Sequence, residues 1–151
     1  MWCIVALTLV EPSYYRIIDF DHARVGRWMQ ERHAGYYRDG STCIGLTRHG
    51  ELVAGAMYDQ YNGCSIVASI AIDGPITRQW LWYIFAYPFI QLKANVILGL
   101  ISSGNLRSIK LVEKMGFQSV ADIPHADPSG LLCLYTMHRD ACRFIRSPYH
   151  G

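Results

Sequence analysis

The sequence predicts an α/β (α+β) domain, a mixed central sheet of about seven strands flanked by about four helices. Three observations carry this. Two successive hairpin signals lie between Thr42 and Ile72, a helix then links two apolar runs, and a capped helix at Asn105–Phe117 follows the second run directly. Hairpins give antiparallel pairs, whereas a helical crossover returns the chain in the same direction, so a sheet containing both is mixed.

The 151 residues suit one domain spanning 1–151, with 146–151 as a frayed tail. A hydrophobic share of 51% against 17% charged residues excludes a disordered chain, and a net charge of +2 is too small to demand a nucleic-acid partner. The five cysteines include no CxxC pair, which favours reduced thiols and a cytoplasmic location. His125, Cys133, His138 and Cys142 match no recurring zinc spacing, so no metal is expected. The apolar run Trp80–Ile90 is broken by Pro88 and is about half of a membrane span. No membrane partner is expected.

Taken in order, Trp2–Val10 lacks a basic start and is stopped by Glu11-Pro12, so it is a first strand and not a signal peptide. Pro12-Ser13 starts a helix carrying Tyr14, Ile17, Ile18 and Phe20, and Asp21 caps a second one through Val25, Trp28 and Met29. His33–Ser41 is a loop. Thr42–Leu46 and Leu52–Tyr58 flank a polar turn at 48–51, and Asn62-Gly63 turns the chain into Ser65–Ile72. Thr77 caps a helix reaching about Leu92, with Leu81, Ile84, Phe85 and Phe89 inward and a bend at Pro88.

Val96–Ile101 is the parallel strand after that helix. Asn105 then caps a helix whose stripe is Leu106, Ile109, Val112 and Met115, and Gly116 closes it in the left-handed conformation with Phe117 folding back onto Val112. Gln118–Asp122 is a sixth strand, Pro124–Gly130 a polar loop, Leu131–Met137 a seventh strand, and Asp140–Ile145 a short helix at most.

The spacing Asn-x-x-Ser-x-x-x-x-Glu-Lys-x-Gly-Phe at Asn105–Phe117, after a buried strand, resembles the C-terminal acyl-CoA motif of the GNAT family of N-acetyltransferases. The element order is similar over nearly the whole chain. Glu51–Gly55, Tyr61–Gly63, Arg78–Trp82 and Tyr87–Phe89 are similar to the small GNAT-like proteins of bacteriophages. The resemblance implies an acyl-CoA dependent N-acyltransferase that moves an acetyl group from acetyl-CoA, or another acyl from its acyl-CoA, to a small-molecule or protein amine. The amine attacks the thioester directly. A homodimer is left open.

In that family the two central parallel strands splay and exposed backbone binds the pantetheine arm, which implies contacts at Ala71 and Ile72. The pyrophosphate sits on the N-terminus of the intervening helix, where free amides and the helix dipole favour anions. This implies Arg78, Gln79, Trp80 and Leu81. The family signature there is Arg or Gln-x-x-Gly-x-Gly or Ala. Arg78 matches and can pair with phosphate in bidentate fashion, but Leu81 and Tyr83 fill both small positions and are expected to crowd the phosphates.

Val112 stands where many relatives carry a tyrosine general acid. Ser108 is the substitute donor, or its hydroxyl bonds back to its own helix. Asn105 is an N-cap, a pantetheine contact, or both. Asp59 and Asp73 are the candidate bases, and Tyr61 and Tyr135 the candidate acceptor contacts, with Tyr135 facing either core or acceptor. Two other readings use the same fold. One is an accessory phage protein that has lost the cofactor. The other is a nucleobase-modifying enzyme in which Arg107, Lys110 and Lys114 touch nucleic acid and Trp80 or Trp82 stacks on a base. The plain reading of those three cations is a solvated helix face.

Overall fold

The structure is a computed structural model, and it describes residues 16–146. The expected strand at Trp2–Val10 and the end of the tail lie outside the described residues. The sheet is built from β1 (Arg16–Asp19), β2 (Thr42–Arg48), β3 (Glu51–Asp59), β4 (Ser65–Ile72), β5 (Val96–Ser102), β6 (Gln118–Asp127) and β7 (Gly130–His138), in the spatial order β1-β2-β3-β4-β5-β7-β6. Among the described residues three α-helices accompany it, α1 (His22–Glu31), α2 (Arg78–Ala86) and α3 (Leu106–Met115).

Two expectations are corrected. Ile17 and Ile18 belong to β1, where a helix was expected, and pair with Thr47 and Leu46 of β2. Adjacent β-branched residues suit a pleated edge better than a helix, and the edge of β2 offers the partner. The expected loop from Pro124 is strand as far as Asp127, because β6 follows β7 almost to its turn. Pro124 is tolerated there since β6 is the last strand of the sheet. This extension carries Asp127 well beyond the expected end of the strand.

The helices form where caps and apolar spacing coincide. Asp21 Oδ1 accepts from the Arg24 amide at 3.1 Å, and α1 buries Val25 and Met29 against Cys43 and Met57. Thr77 Oγ1 accepts from the Trp80 amide at 3.1 Å, and α2 sends Trp80, Ile84 and Phe85 into a second, larger core on the opposite face. The chain beyond α2 passes Pro88 as one wide π-turn at Tyr87–Gln91. α3 shares this larger core through Val112 and Met115. Gly116 closes it at φ 108°, a conformation cheap only for glycine, and the Phe117 amide reaches the Val112 carbonyl at 2.9 Å. Among the described residues no helix is long and apolar enough to cross a membrane.

β4 and β5 pair in parallel at Ser65, Ile66 and Val67 against Val96, Ile97 and Leu98, and then part. β4 stays with β3 through Ile72, and β5 stays with β7 through Ser102. The sheet therefore opens as a V at the C-terminal ends of its two central strands. Backbone groups facing the gap have no ladder partner there, which leaves them available to a ligand.

Candidate active site

The V is a cleft of about 490 Å³. Ser69 and Ile70 of β4 form one wall and Gly99–Ser102 of β5 the other; Asn105, Ser108 and Val112 of α3 line it, and the loop from His33 to Tyr36 reaches it from the side of α1. A smaller space of about 230 Å³, bordered by Arg32, Asp73 and Arg107, shares Ala34, Ile70, Asn105 and Ser108 with it. The shared residues make the two spaces one continuous site.

Local sequence explains why α3 presents these groups. Asn105 Oδ1 accepts from the Ser108 amide at 3.1 Å, which fixes the first turn and leaves the Asn105 amide nitrogen toward the site. The Ser108 hydroxyl has no partner among the described residues, so the bond back to its own helix is not made. Val112 lines the cleft without any proton to give. At the open end of β4 the Ile72 carbonyl accepts from Arg107 Nη2 at 2.7 Å, so this cation is engaged at the cleft. Strand alternation aims the amide and carbonyl of Ile70 into the same gap.

The other expected residues divide sharply. Ala71 and Asp73 lie at the open end, and Asp73 Oδ2 accepts from Arg32 Nε at 2.5 Å while Arg32 stacks 3.8 Å over the Trp28 ring. Asp59 and Tyr61 lie at the closed end, because the hairpin turn before β4 is at the opposite end of that strand from its splayed terminus. There Asp59 accepts from Ser41 Oγ at 2.6 Å, and the Tyr61 hydroxyl donates to the Leu92 carbonyl at 2.5 Å. Neither residue reaches the cleft.

Arg78 is exposed at the first turn of α2, and the Arg78 and Gln79 amides have no acceptor among the described residues. The Trp80 side chain is wholly buried, with Nε1 donating to the Ile44 carbonyl at 3.2 Å, so it cannot stack on a base. Leu81 and Tyr83 do not line the cleft. Leu81 packs on the large core, and Tyr83 meets Phe20 edge-on at 5.8 Å in a separate apolar groove between α2 and the β1–β2 edge. The expected crowding by Tyr83 is therefore corrected: its place in the second turn of α2 points it at Phe20, just past β1.

Tyr135 is a core residue under α3, with its hydroxyl donating to Glu113 Oε1 at 3.0 Å. Burial first, and then the Glu113 carboxylate, push the phenol up to about 12 from an ordinary 10.0. The neutral phenol is the form the fold prefers. Its stabilising contribution is complete below pH 10 and is lost as pH rises toward 12. Wild-type protein is accordingly expected to lose more stability than Tyr135→Phe in urea melts at pH 11.5 relative to pH 8.

Residues that spacing alone did not reveal are His33, Gly35, Tyr36, Ser102 and Asp127. Gly35 has φ 85°, and a Cβ there would lie 2.7 Å from Met57 Cε and 3.0 Å from Ser69 Oγ, so only glycine lets this loop come so close to β4. Its sequence signal was merely a glycine in a polar loop. Asp127 and Ser129 fell within the expected polar loop Pro124–Gly130, but their position beside β5 depends on the order of β7 and β6.

No family profile and no curated protein matches the chain. Solved structures do. The structure of yncA from Salmonella typhimurium, a candidate acetyltransferase with its cofactor acetyl-CoA, aligns at TM-score 0.62 and 17% identity over 91% of this chain and 99% of that one. A mutant of the spermidine N-acetyltransferase SpeG from Vibrio cholerae gives TM-score 0.65 at 12% identity over 88% and 98%. The N-acetyltransferase PseH of Campylobacter jejuni, in complex with acetyl coenzyme A, gives TM-score 0.53 at 12% identity over 75% and 76%. With the V between β4 and β5, the crossover through α2 and the β7-β6 order all in place, the chain has the GNAT acetyltransferase fold.

Proposed function

We propose that the protein is an acyl-CoA dependent N-acyltransferase that moves an acetyl group from acetyl-CoA to an amine by direct attack on the thioester. The observation that carries this reading is the V between β4 and β5, with Asn105 and Ser108 on its wall. A thin chain carrying amides, such as a pantetheine arm, suits that slot because unpaired strand groups at Ile70 can bond it much as a further strand would. The free amides of Arg78 and Gln79, with the Arg78 guanidinium, suit a pyrophosphate. Bound acetyl-CoA supplies the thioester carbonyl.

This chain's own residues then have separable tasks. Asn105 orients the bound group through its free amide nitrogen. Ser108 holds the proton that the departing sulfur takes up, a role Val112 cannot fill. Asp73, through the oxygen not bonded to Arg32, receives a proton from the amine through water. The cytoplasmic location rests on the cysteine spacing, which holds no CxxC pair. The likeness to phage-encoded proteins rests on the sequence segments alone.

Acetyl-CoA at about 100 times its Kd is expected to stabilise the fold by about 2.7 kcal/mol, a Tm rise of roughly 5–10 °C for a chain of this size. A melting curve that moves with none of acetyl-CoA, CoA or longer acyl-CoA sinks the reading. It would leave the accessory-protein alternative, which the Arg107 bond to the Ile72 carbonyl favours, since that bond already occupies part of the strand edge.

A further inference from the structure

The side of the cleft away from α2 and α3 opens onto a part of the sheet that α1 does not cover, because α1 packs over β2 and β3. Ile97 and Ile101 of β5 are buried toward the large core, so alternation turns Leu98, Leu100 and Ser102 to the opposite face. Register sets Leu134 beside Leu100 and Leu132 beside Ser102, with Ile123 of β6 beyond Leu132. Leu100 is 49% exposed and Ile123 40% exposed, so this apolar floor is open. Tyr36, 75% exposed on the loop from α1, stands at its rim.

One anion faces the cleft from the end of β6. Asp127 Oδ2 accepts from Ser102 Oγ at 2.9 Å, from the Ser129 amide at 2.9 Å and from Ser129 Oγ at 2.5 Å. Oδ1 receives no bond from the described residues. The hydroxyl and amide of Ser129, then the hydroxyl of Ser102, hold the carboxyl below the usual carboxylate range. Such a group is a poor base and a durable counter-ion. Among the described residues no other carboxylate lines the cleft, and the adjoining space is flanked by Arg32 and Arg107, with Asp73 already paired to Arg32.

We propose that the acceptor is a primary amine with one ammonium group on a neutral, apolar body, its ammonium received by Asp127 Oδ1 and its body laid on the leucine floor beside Tyr36. This rests on the N-acyltransferase reading. A polyamine is a poor match, because a second ammonium would meet either leucines or two guanidinium groups. In the transfer the ammonium first gives one proton through water to Asp73; the N–C bond forms as the thioester C–S bond breaks, the departing sulfur takes the Ser108 proton to leave as CoA thiol, and the second amine proton restores the Ser108 hydroxyl.

The test is release of CoA thiol from acetyl-CoA by the full chain, with 2-phenylethylamine, a leucine-initiated tetrapeptide and spermidine as acceptors. The first two separate a small amine from a peptide N-terminus, and either one leading spermidine in kcat/KM by roughly tenfold or more supports the proposal. Asp127→Asn is expected to raise the amine KM by about tenfold while the Tm shift given by CoA is unchanged. Leu100→Asp, at an exposed position, supplies a second anion and is expected to shift the preference toward spermidine. Spermidine as the better acceptor of the wild type, or an unchanged amine KM in folded Asp127→Asn, overturns the proposal while a CoA-induced Tm shift keeps the broader reading. Absence of that shift overturns both.

Discussion

Replacing Trp80 by alanine is expected to destabilise the protein by about 3–5 kcal/mol, lowering Tm by roughly 10 °C or more. The residue is fully buried between α2 and the sheet, and its indole N–H answers the Ile44 carbonyl at 3.2 Å. Truncation would leave a cavity and remove the indole hydrogen bond. Trp80→Phe, which keeps most of the volume, is expected to lose markedly less. Thermal denaturation of both variants checks this, and a Trp80→Ala protein melting within about 3 °C of wild type would contradict it. Because α2 also offers the free amides of Arg78 and Gln79, loosening Trp80 should weaken CoA binding as a secondary effect of a helix that no longer holds its angle.

Ser108→Ala is expected to lower kcat by about 100-fold, the low end for loss of a positioned proton donor, with little change in Tm. The asymmetry follows from the geometry. The Ser108 amide caps α3 through Asn105, and alanine keeps that amide, whereas the hydroxyl makes no bond among the described residues and faces the cleft. Ser108→Thr retains a hydroxyl and is expected to keep more of the rate. Steady-state turnover beside a melting curve separates the two effects. An alanine variant with full kcat would remove Ser108 from the chemistry and leave it as a wall residue.

The helix at Asn105–Phe117 was legible in its cap, its end and the Val112–Met115 part of its stripe because these determinants are local, whereas Leu106, expected on the stripe, is 63% exposed. Its cap, stripe and terminal glycine lie within a single run of residues, and each acts over one turn. The hairpins and the crossover helix were legible for the same reason. The strand at Arg16–Asp19 was not, since Ile17 and Ile18 become strand residues only when β2 offers an unpaired edge. Nor was the full length of β6, which owes its last residues to pairing with β7 across a turn that composition had marked as a loop.

The candidate site divides along the same line. Asn105, Ser108 and Arg78 could be named from motif position, because a helix N-terminus carries its own chemistry wherever the helix is packed. Asp59 and Tyr61 were drawn toward the site by nearness in sequence to β4, but a hairpin turn lies at the far end of the strand it starts. Tyr83 was expected against phosphate and instead meets Phe20, which is distant in sequence and adjacent only in the fold.

By itself, then, the sequence determined the mixed sheet, the capped helices and the helix-borne candidates, all products of interactions within a turn or a hairpin. The tertiary structure alone decided that β4 and β5 part after Val67, that Gly35 brings its loop against Ser69, and that Asp127 is held by Ser102 at the cleft. Each of these joins segments remote in the chain, whose meeting depends on how strands are ordered and how far they stay paired.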